Sequence, residues 1–294
     1  MSTDETPEIP RTPDGPPPPP APGTAVLRRR PWLAALLSLV ATGLGQVYNG
    51  QWRKGLLFFF TEFGLGVVLY LSMGTFAGVV AAGAVLAAIN LAAPVEAYLS
   101  ARRLGAISPG RWNRGWVYVL AVAVSLASGA ALQAGMGATL YEAYKAPSAS
   151  MLPTLQVGDH FMAEVLSPAD PVRRGDVVTF LEAESGKRFV KRVVGLPGET
   201  VSIEAQRVSV DGRPLDEPYA AHDKAGQDLP GRDRMDPVAL GPDEYFCMGD
   251  NREHSYDSRW LGPVARGRML ARALYVYLPG PSADRWSRLG ASLR

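Results

Sequence analysis

The apolar and polar positions divide this 294-residue chain into three stretches. Residues 1 to about 27 show no apolar periodicity and are rich in Pro, Asp, Glu and Thr, with the run Pro16 to Pro20. Such a segment buries too little apolar surface to fold, so residues 1–30 read as a disordered, partly polyproline tail. The next stretch, 31–140, is strongly apolar and comes in runs. Leu56 to Leu71 approaches the roughly 20 residues that cross a bilayer, and Thr75 to Leu99 and Trp116 to Ala138 exceed them. Trp32 to Val47 falls short of the roughly 20 residues of a span, carries Gly43 and Gly45, and ends in the turn-like Gln46-Val47-Tyr48-Asn49-Gly50-Gln51. It reads as re-entrant or interfacial, which makes a membrane section of about three spans plus one short segment. From Tyr141 to the end the apolar stretches shrink to strand length: Val177 to Phe180, Phe189 to Val194, Val201 to Glu204, Val208 to Val210 and Met269 to Leu278. Val210-Asp211-Gly212-Arg213 has the Asp-Gly pair of a tight hairpin. Residues 211–244 read as a polar, loop-rich insertion. The expected architecture is an N-terminal α-helical membrane section followed by a mainly-β, antiparallel domain over 141–294.

Charge adds an orientation. Arg28 to Arg30 precede the short run, Arg53 and Lys54 precede the first span, and Arg102, Arg103, Arg111 and Arg114 follow the second. All three clusters favour the cytoplasm, and three spans plus a re-entrant segment put them there together. The domain after residue 138 then lies outside. Glu62, within an apolar run, is an intramembrane carboxyl and so a functional flag, although pairing or protonation would also account for it. The formal net charge of +2 gives no global basic field for nucleic acid. A single cysteine, Cys247, excludes an internal disulfide and reads as a small buried hydrophobe. His160, His222 and His254 are scattered without metal-ligand spacing, and no cofactor is expected.

Three segments of the second half carry reactive groups. Pro147-Ser148-Ala149-Ser150-Met151-Leu152-Pro153-Thr154-Leu155 follows the last apolar run closely enough to stay near a membrane surface. Two serines between prolines sit on stiff backbone, where one hydroxyl can attack while its neighbour and a backbone N–H hold an oxyanion. The same composition also suits a linker. In Phe189-Val190-Lys191-Arg192-Val193-Val194-Gly195-Leu196-Pro197-Gly198-Glu199, strand alternation puts Lys191 on one face with Phe189 and Val193. Burial there lowers the lysine pKa, and a neutral amine can take a proton from a serine. Arg192 cannot, because guanidinium stays protonated. A lysine whose stem packs while its head reaches water is the ordinary alternative. The third segment, Met248-Gly249-Asp250-Asn251-Arg252-Glu253-His254-Ser255-Tyr256-Asp257-Ser258-Arg259-Trp260-Leu261-Gly262, is dense in polar groups that must satisfy one another if buried. Asp250, Asp257, Arg252 and Arg259 can form a salt-bridge frame, and Ser255 can orient the lysine amine; a solvated loop is the competing reading.

In this order the segments, together with Arg174-Gly175-Asp176-Val177-Val178, resemble the type I signal peptidases, the serine–lysine leader peptidases, over roughly residues 145–278. The resemblance implies a membrane-bound serine endopeptidase that removes signal peptides from exported precursors through an acyl-enzyme. It assigns Ser150 as nucleophile, Lys191 as general base, Ser148 to the oxyanion site with the Ser150 N–H, and Ser255 to the lysine amine. Asp257 and Arg259 become a structural pair supported by Asp250, and Asp176 lies in a segment that shapes the site. The implied partners are signal-peptide-bearing precursors, the lipid bilayer and the secretion machinery. The implied location is the bacterial inner membrane, multi-pass, with the catalytic domain on the periplasmic side. This chain departs from the family pattern in Glu253-His254, in a short insertion, and in a larger membrane section. Its Gly43 to Gly55 stretch looks like a small membrane module of other proteins. A self-cleaving serine–lysine repressor, a non-catalytic membrane scaffold and a Ser-His-Asp hydrolase using His254 are the rival readings.

Overall fold

The computed structural model describes residues 27–107, 112–136, 140–222, 229–282 and 284–293. The tail to residue 26, Arg111, the last residues of the third apolar run and 223–228 of the insertion lie outside them. Leu27–Arg28 (β1) leads into Pro31–Val40 (α1) and Leu44–Tyr48 (α2). Trp52–Leu71 (α3) and Phe76–Leu104 (α4) follow. Ala106–Ile107 (β2) pairs antiparallel with β1, and Gly115–Met136 (α5) completes the helical part. Among the described residues, three helical stretches, Trp52–Gly74, Phe76–Leu104 and Gly115–Ala134, are long and apolar enough to cross a membrane. The short run, expected as one re-entrant or interfacial segment, is two helices, α1 and α2. Gly43 turns the chain with φ +92 and crosses Gly55 so closely that a Cβ would sit 2.2 Å from the Gly55 carbonyl oxygen.

The chain forms two compact units, Met1–Glu62 with Ala88–Leu126, and Phe63–Ala87 with Ala127–Arg294. In the described part of the first, buried Gln46 accepts from Ser38 Oγ (3.1 Å) and donates to the Ala93 carbonyl (2.9 Å) and Glu96 (2.8 Å). Asn49 donates to the Ala97 carbonyl at 2.8 Å. These bonds satisfy α2 polar groups against α4, where water would otherwise have to reach them. They give the Gly43 to Gly55 stretch a packing role. The loop ends gather here too: Arg29 N–H donates to the Gly105 carbonyl, Asn113 donates to the Val47 and Tyr48 carbonyls, and Trp52 stacks on Trp112.

The second unit holds the remaining strands: Tyr141–Lys145 (β3), His160–Val165 (β4), Val177–Leu181 (β5), Arg188–Gly195 (β6), Thr200–Glu204 (β7), Arg207–Val210 (β8), Arg213–Pro214 (β9), Met235–Ala239 (β10), Glu244–Met248 (β11), Val264–Ala265 (β12) and Met269–Leu278 (β13). Seven make one sheet in the order β12-β11-β6-β5-β13-β4-β3, and four make another in the order β10-β7-β8-β9. Every pairing is antiparallel. The fold is therefore the expected one: apolar helices followed by an antiparallel-sheet domain. At the Asp-Gly hairpin Val210 pairs with Arg213, with φ 49 at Asp211 and 76 at Gly212, the double positive φ of a type I′ turn. Strands β3, β4, β10 and β11 are not among the predicted ones: polar residues interrupt the apolar pattern of β3, β4 and β10, whereas β11 is apolar and mostly buried but follows directly on the polar insertion. One insertion residue range, 211–244, contributes β9 and β10 as well as loop.

Alternation along β3 and β4 divides two surfaces. Tyr144, Phe161 and Ala163 enter the core with Met151, Leu155 and Val177. On the other surface Tyr141 meets Tyr70, with ring centroids 5.8 Å apart, while Phe76 packs edge-on to Tyr275 of β13. The Tyr275 hydroxyl donates to the Met73 carbonyl at 2.9 Å. The connection between α3 and α4 is thus fastened to the sheet.

Candidate active site

Ser150 lies in a single 3-10 turn, Ala149–Met151, held from both ends. Met151 is buried in the core, and the Met151 carbonyl accepts from Leu155 N. From the third segment, Asn251 N donates to the Ser150 carbonyl (3.1 Å) and Asn251 Nδ2 to the Ala149 carbonyl (3.1 Å). The Ser150 hydroxyl is left pointing at Lys191: Nζ and Oγ are 2.7 Å apart. Ser148 Oγ donates to Ser150 Oγ at 3.2 Å.

Lys191 sits mid-strand on β6, opposite Val178 of β5, and is only 2% exposed. Its Nζ is 5.6 Å from the centre of the Phe189 ring. Burial pushes its pKa down to about 8, against the pull of the Asp257 carboxylate and lesser neighbours that favour the charged form. The amine is therefore neutral in a usable fraction near neutral pH, which a base requires. Cys247, on the neighbouring strand, is fully buried and burial pushes its thiol up, so it is no nucleophile.

One ion pair staples the three segments. Arg192, the next residue on β6, grips Asp250 with Nε on Oδ1 (2.9 Å) and Nη2 on Oδ2 (2.7 Å). Thr154, from the serine segment, donates to the same carboxylate at 2.5 Å. Alternation sends Arg192 away from the Lys191 side, so adjacent residues serve chemistry and framework separately. The expected frame of Asp250, Asp257, Arg252 and Arg259 takes in two further partners, Arg192 and Glu217. Asp257 does pair with Arg259 (2.8 Å), and also accepts from Gly249 N (2.9 Å). Burial pushes Asp257 up, but Arg259 and the Gly249 N–H outweigh it and keep the carboxyl below its ordinary range. Asp250 takes Arg192 rather than Arg252, and Arg252 instead pairs with Glu217 of the insertion at 2.6 Å. Asp176, on the approach to β5, accepts from Arg173 N and pairs with Arg272 rather than entering the cluster.

Ser255 Oγ is buried, near enough to Asp257 to favour its ionised form, yet makes no hydrogen bond of ordinary length and none to Lys191. Gly249 explains its place. A Cβ on Gly249 would fall 2.2 Å from Ser255 Oγ and 2.5 Å from the Ser150 carbonyl oxygen. His254 is exposed, while the group at hydrogen-bond distance from Ser150 is Lys191. Asn251, Arg192, Thr154 and Gly249 were quoted within the motifs without a role; Glu217, in the polar insertion, carried no signal at all.

Beside the dyad lies a cleft of about 240 Å³ walled by Ala146, Pro147, Met151, Phe189 and Val190. Its rims are unpaired strand edges. β3 is paired only with β4, and β6 meets β11 only from Arg192 onward, leaving Arg188 to Lys191 free on that side. The two edges face each other: Arg188 Nη1 is 3.4 Å from Glu142, and the Arg188 guanidinium is 5.6 Å from the Tyr144 ring centre. The family described as signal peptidase, peptidase S26, matches residues 114–278, more than half of the chain.

The chain belongs to the type I signal peptidase family. It is 38% identical over 157 residues to a signal peptidase I of Leptolyngbya laminosa, covering 50% of this chain and 74% of that protein. Identity to a probable signal peptidase I-2 of Synechocystis is 37% over 158 residues, covering 51% and 69%. A signal peptidase I of Bacillus amyloliquefaciens is 33% identical over 175 residues, covering 57% and 86%. As a member of this family the protein is a hydrolase, and its apolar helices are compatible with membrane anchoring.

Proposed function

We propose that this peptidase removes signal peptides from exported precursors by attack of Ser150, with Lys191 as general base. The observation that carries the reading is the 2.7 Å contact between Ser150 Oγ and an amine that burial holds near pKa 8. Neutral Lys191 takes the hydroxyl proton as Oγ adds to the scissile carbonyl carbon. The resulting oxyanion is met by the Ser148 hydroxyl and the Ser150 N–H. Collapse expels the downstream amine with the proton from Lys191, leaving an ester on Ser150. The lysine, neutral again, deprotonates a water that attacks the ester carbonyl, and release of the carboxyl product restores the serine. Asp257, Arg259 and Asp250 fix the backbone around the dyad, and Ser255 packs beside it.

The substrate fits as an added strand. An extended peptide between the free edges of β3 and β6 would hydrogen-bond to both, and the small cleft admits small side chains next to the scissile bond. This agrees with the resemblance, which implies small residues at the −1 and −3 positions.

The location follows the same line. Three apolar helices are long enough to cross a membrane, and Arg53 with Lys54 open the first, Arg102 and Arg103 end the second, and Arg114 precedes the third. This supports three crossings, with α1 and α2 entering and returning on the cationic side. The domain 141–294 is then extracytoplasmic, on the periplasmic face of a bacterial inner membrane, where precursors arrive from the secretion machinery.

The test is cleavage of a membrane-embedded precursor with an Ala-x-Ala site by the intact protein, Ser150→Ala and Lys191→Met in vesicles. The reading expects both folded variants to lose at least about 10³-fold in kcat/KM. Retained cleavage by either would refute the dyad.

A further inference from the structure

The membrane helices frame a cavity of about 380 Å³ within the second unit, between α3, α5 and the outer surface of β3 and β4. Gly66 and Tyr70 come from α3, Gly129 and Leu132 from α5, and Tyr141 and Met162 from the sheet. Its lining is mostly apolar. Small residues make the space: a Cβ on Gly129 would meet nothing within 4 Å, while one on Gly66 would just touch Leu132 at 3.4 Å. The floor is fixed by the Tyr70–Tyr141 ring contact and the Tyr275–Met73 hydrogen bond.

We infer that this groove seats the apolar segment of the precursor while its extended segment reaches Ser150. The inference rests on the peptidase reading above and goes beyond it in giving the extra helices a substrate-binding role. The direction of the peptide decides the occupant. A precursor still anchored in the membrane must run from Ser150 back toward the bilayer. Along this rim that path runs from Ala146 back along β3 to Tyr141, which follows α5 in the chain. Six residues of strand cover about 20 Å. A chain leaving the cleft at that point arrives at Ala143 and Tyr141, which line the groove. Ala146, just past the end of β3, thus borders the cleft while Tyr141 and Ala143 of β3 border the groove, and the peptide passes from one to the other along that edge. An apolar helix entering there exchanges lipid contacts for close packing against Gly129, the kind of contact by which helices associate in membranes.

Two substrates separate this inference from its foundation: a full precursor in vesicles, and a short soluble peptide that covers only the extended segment. Gly129→Phe fills the groove at a position where the side chain meets open space. It should raise KM for the precursor by about fivefold or more and leave kcat/KM for the short peptide unchanged. A photoreactive phenylalanine analogue placed at Leu132, in a Ser150→Ala background that holds the precursor uncut, should crosslink to the precursor's apolar segment. The same analogue at exposed Leu126 should not. Unchanged precursor kinetics, equal losses on both substrates, or crosslinks from Leu132 to lipid alone would overturn the groove assignment. If the unaltered protein cuts neither substrate, the peptidase reading itself falls.

Discussion

At the residue scale, burying Lys191 has a thermodynamic signature. Its pKa of about 8 in the fold lies below the ordinary 10.5 that it regains on unfolding. Between those values the unfolded chain binds more protons than the folded one, so stability rises with pH across that window. Below pH 8 the buried charge costs on the order of 3 kcal/mol. Lys191→Met should therefore match or exceed the parent's stability at pH 7 in urea unfolding, and should lose the stability gain between pH 8 and 10.5. A variant less stable at pH 7 that keeps the slope would contradict the burial argument. Strand alternation put this residue among Phe189 and Val193 but left a head reaching water open, and only resemblance ranked it as the base. Ser150 and Ser148 were legible as a pair of hydroxyls on stiff backbone, and only resemblance ranked them. The role given to Ser255 did not become a contact with the lysine amine, since Gly249 seats its hydroxyl beside Asp257.

Elements meet at this site through the Arg192–Asp250 pair, which joins β6, the end of β11 and the serine segment through Thr154. Removing one partner leaves a buried, uncompensated charge, so Asp250→Ala should cost about 3–5 kcal/mol in denaturant unfolding. A loss under about 1 kcal/mol would mean that the frame is held elsewhere. Gly249→Ala tests a different contact. Its methyl group would collide with Ser255 and with the carbonyl of Ser150. It should lower kcat/KM at least about 10²-fold, whereas Gly267→Ala, whose Cβ would meet nothing within 4 Å, should change neither activity nor stability. Equal activity of the two variants would show that the site tolerates movement of the serine turn. Strand periodicity predicted β5 to β8 and β13 well because those strands are apolar and flanked by turn residues. It missed β3, whose polar residues form a cleft rim and whose meaning comes from what lies opposite. The Arg252–Glu217 pair was equally hidden, because it joins residues brought together only by the second sheet.

For the whole molecule, the apolar runs predicted the three long helices, and the short run read as one re-entrant or interfacial segment is two helices, α1 and α2. What sequence could not supply was the fastening of Tyr275 to Met73, which ties the α3–α4 connection to the catalytic sheet. The proposed topology is one that labelling can check. With buried Cys247 replaced by serine, a cysteine introduced at Trp260 should react with an impermeant maleimide added outside intact cells. One introduced at Arg53 should react only after lysis. Reaction of both positions from outside would refute three crossings with the α1–α2 pair entering and returning on the inner side.

The pH dependence of kcat/KM for precursor cleavage by the reconstituted protein tests the Ser150–Lys191 mechanism most directly. Protonated Lys191 cannot accept the serine proton, so activity should climb with pH and level off above a midpoint near 8, the same in His254→Ala. A midpoint near the ordinary histidine value of about 6.5 that disappears in His254→Ala would contradict the account and assign the base to the histidine.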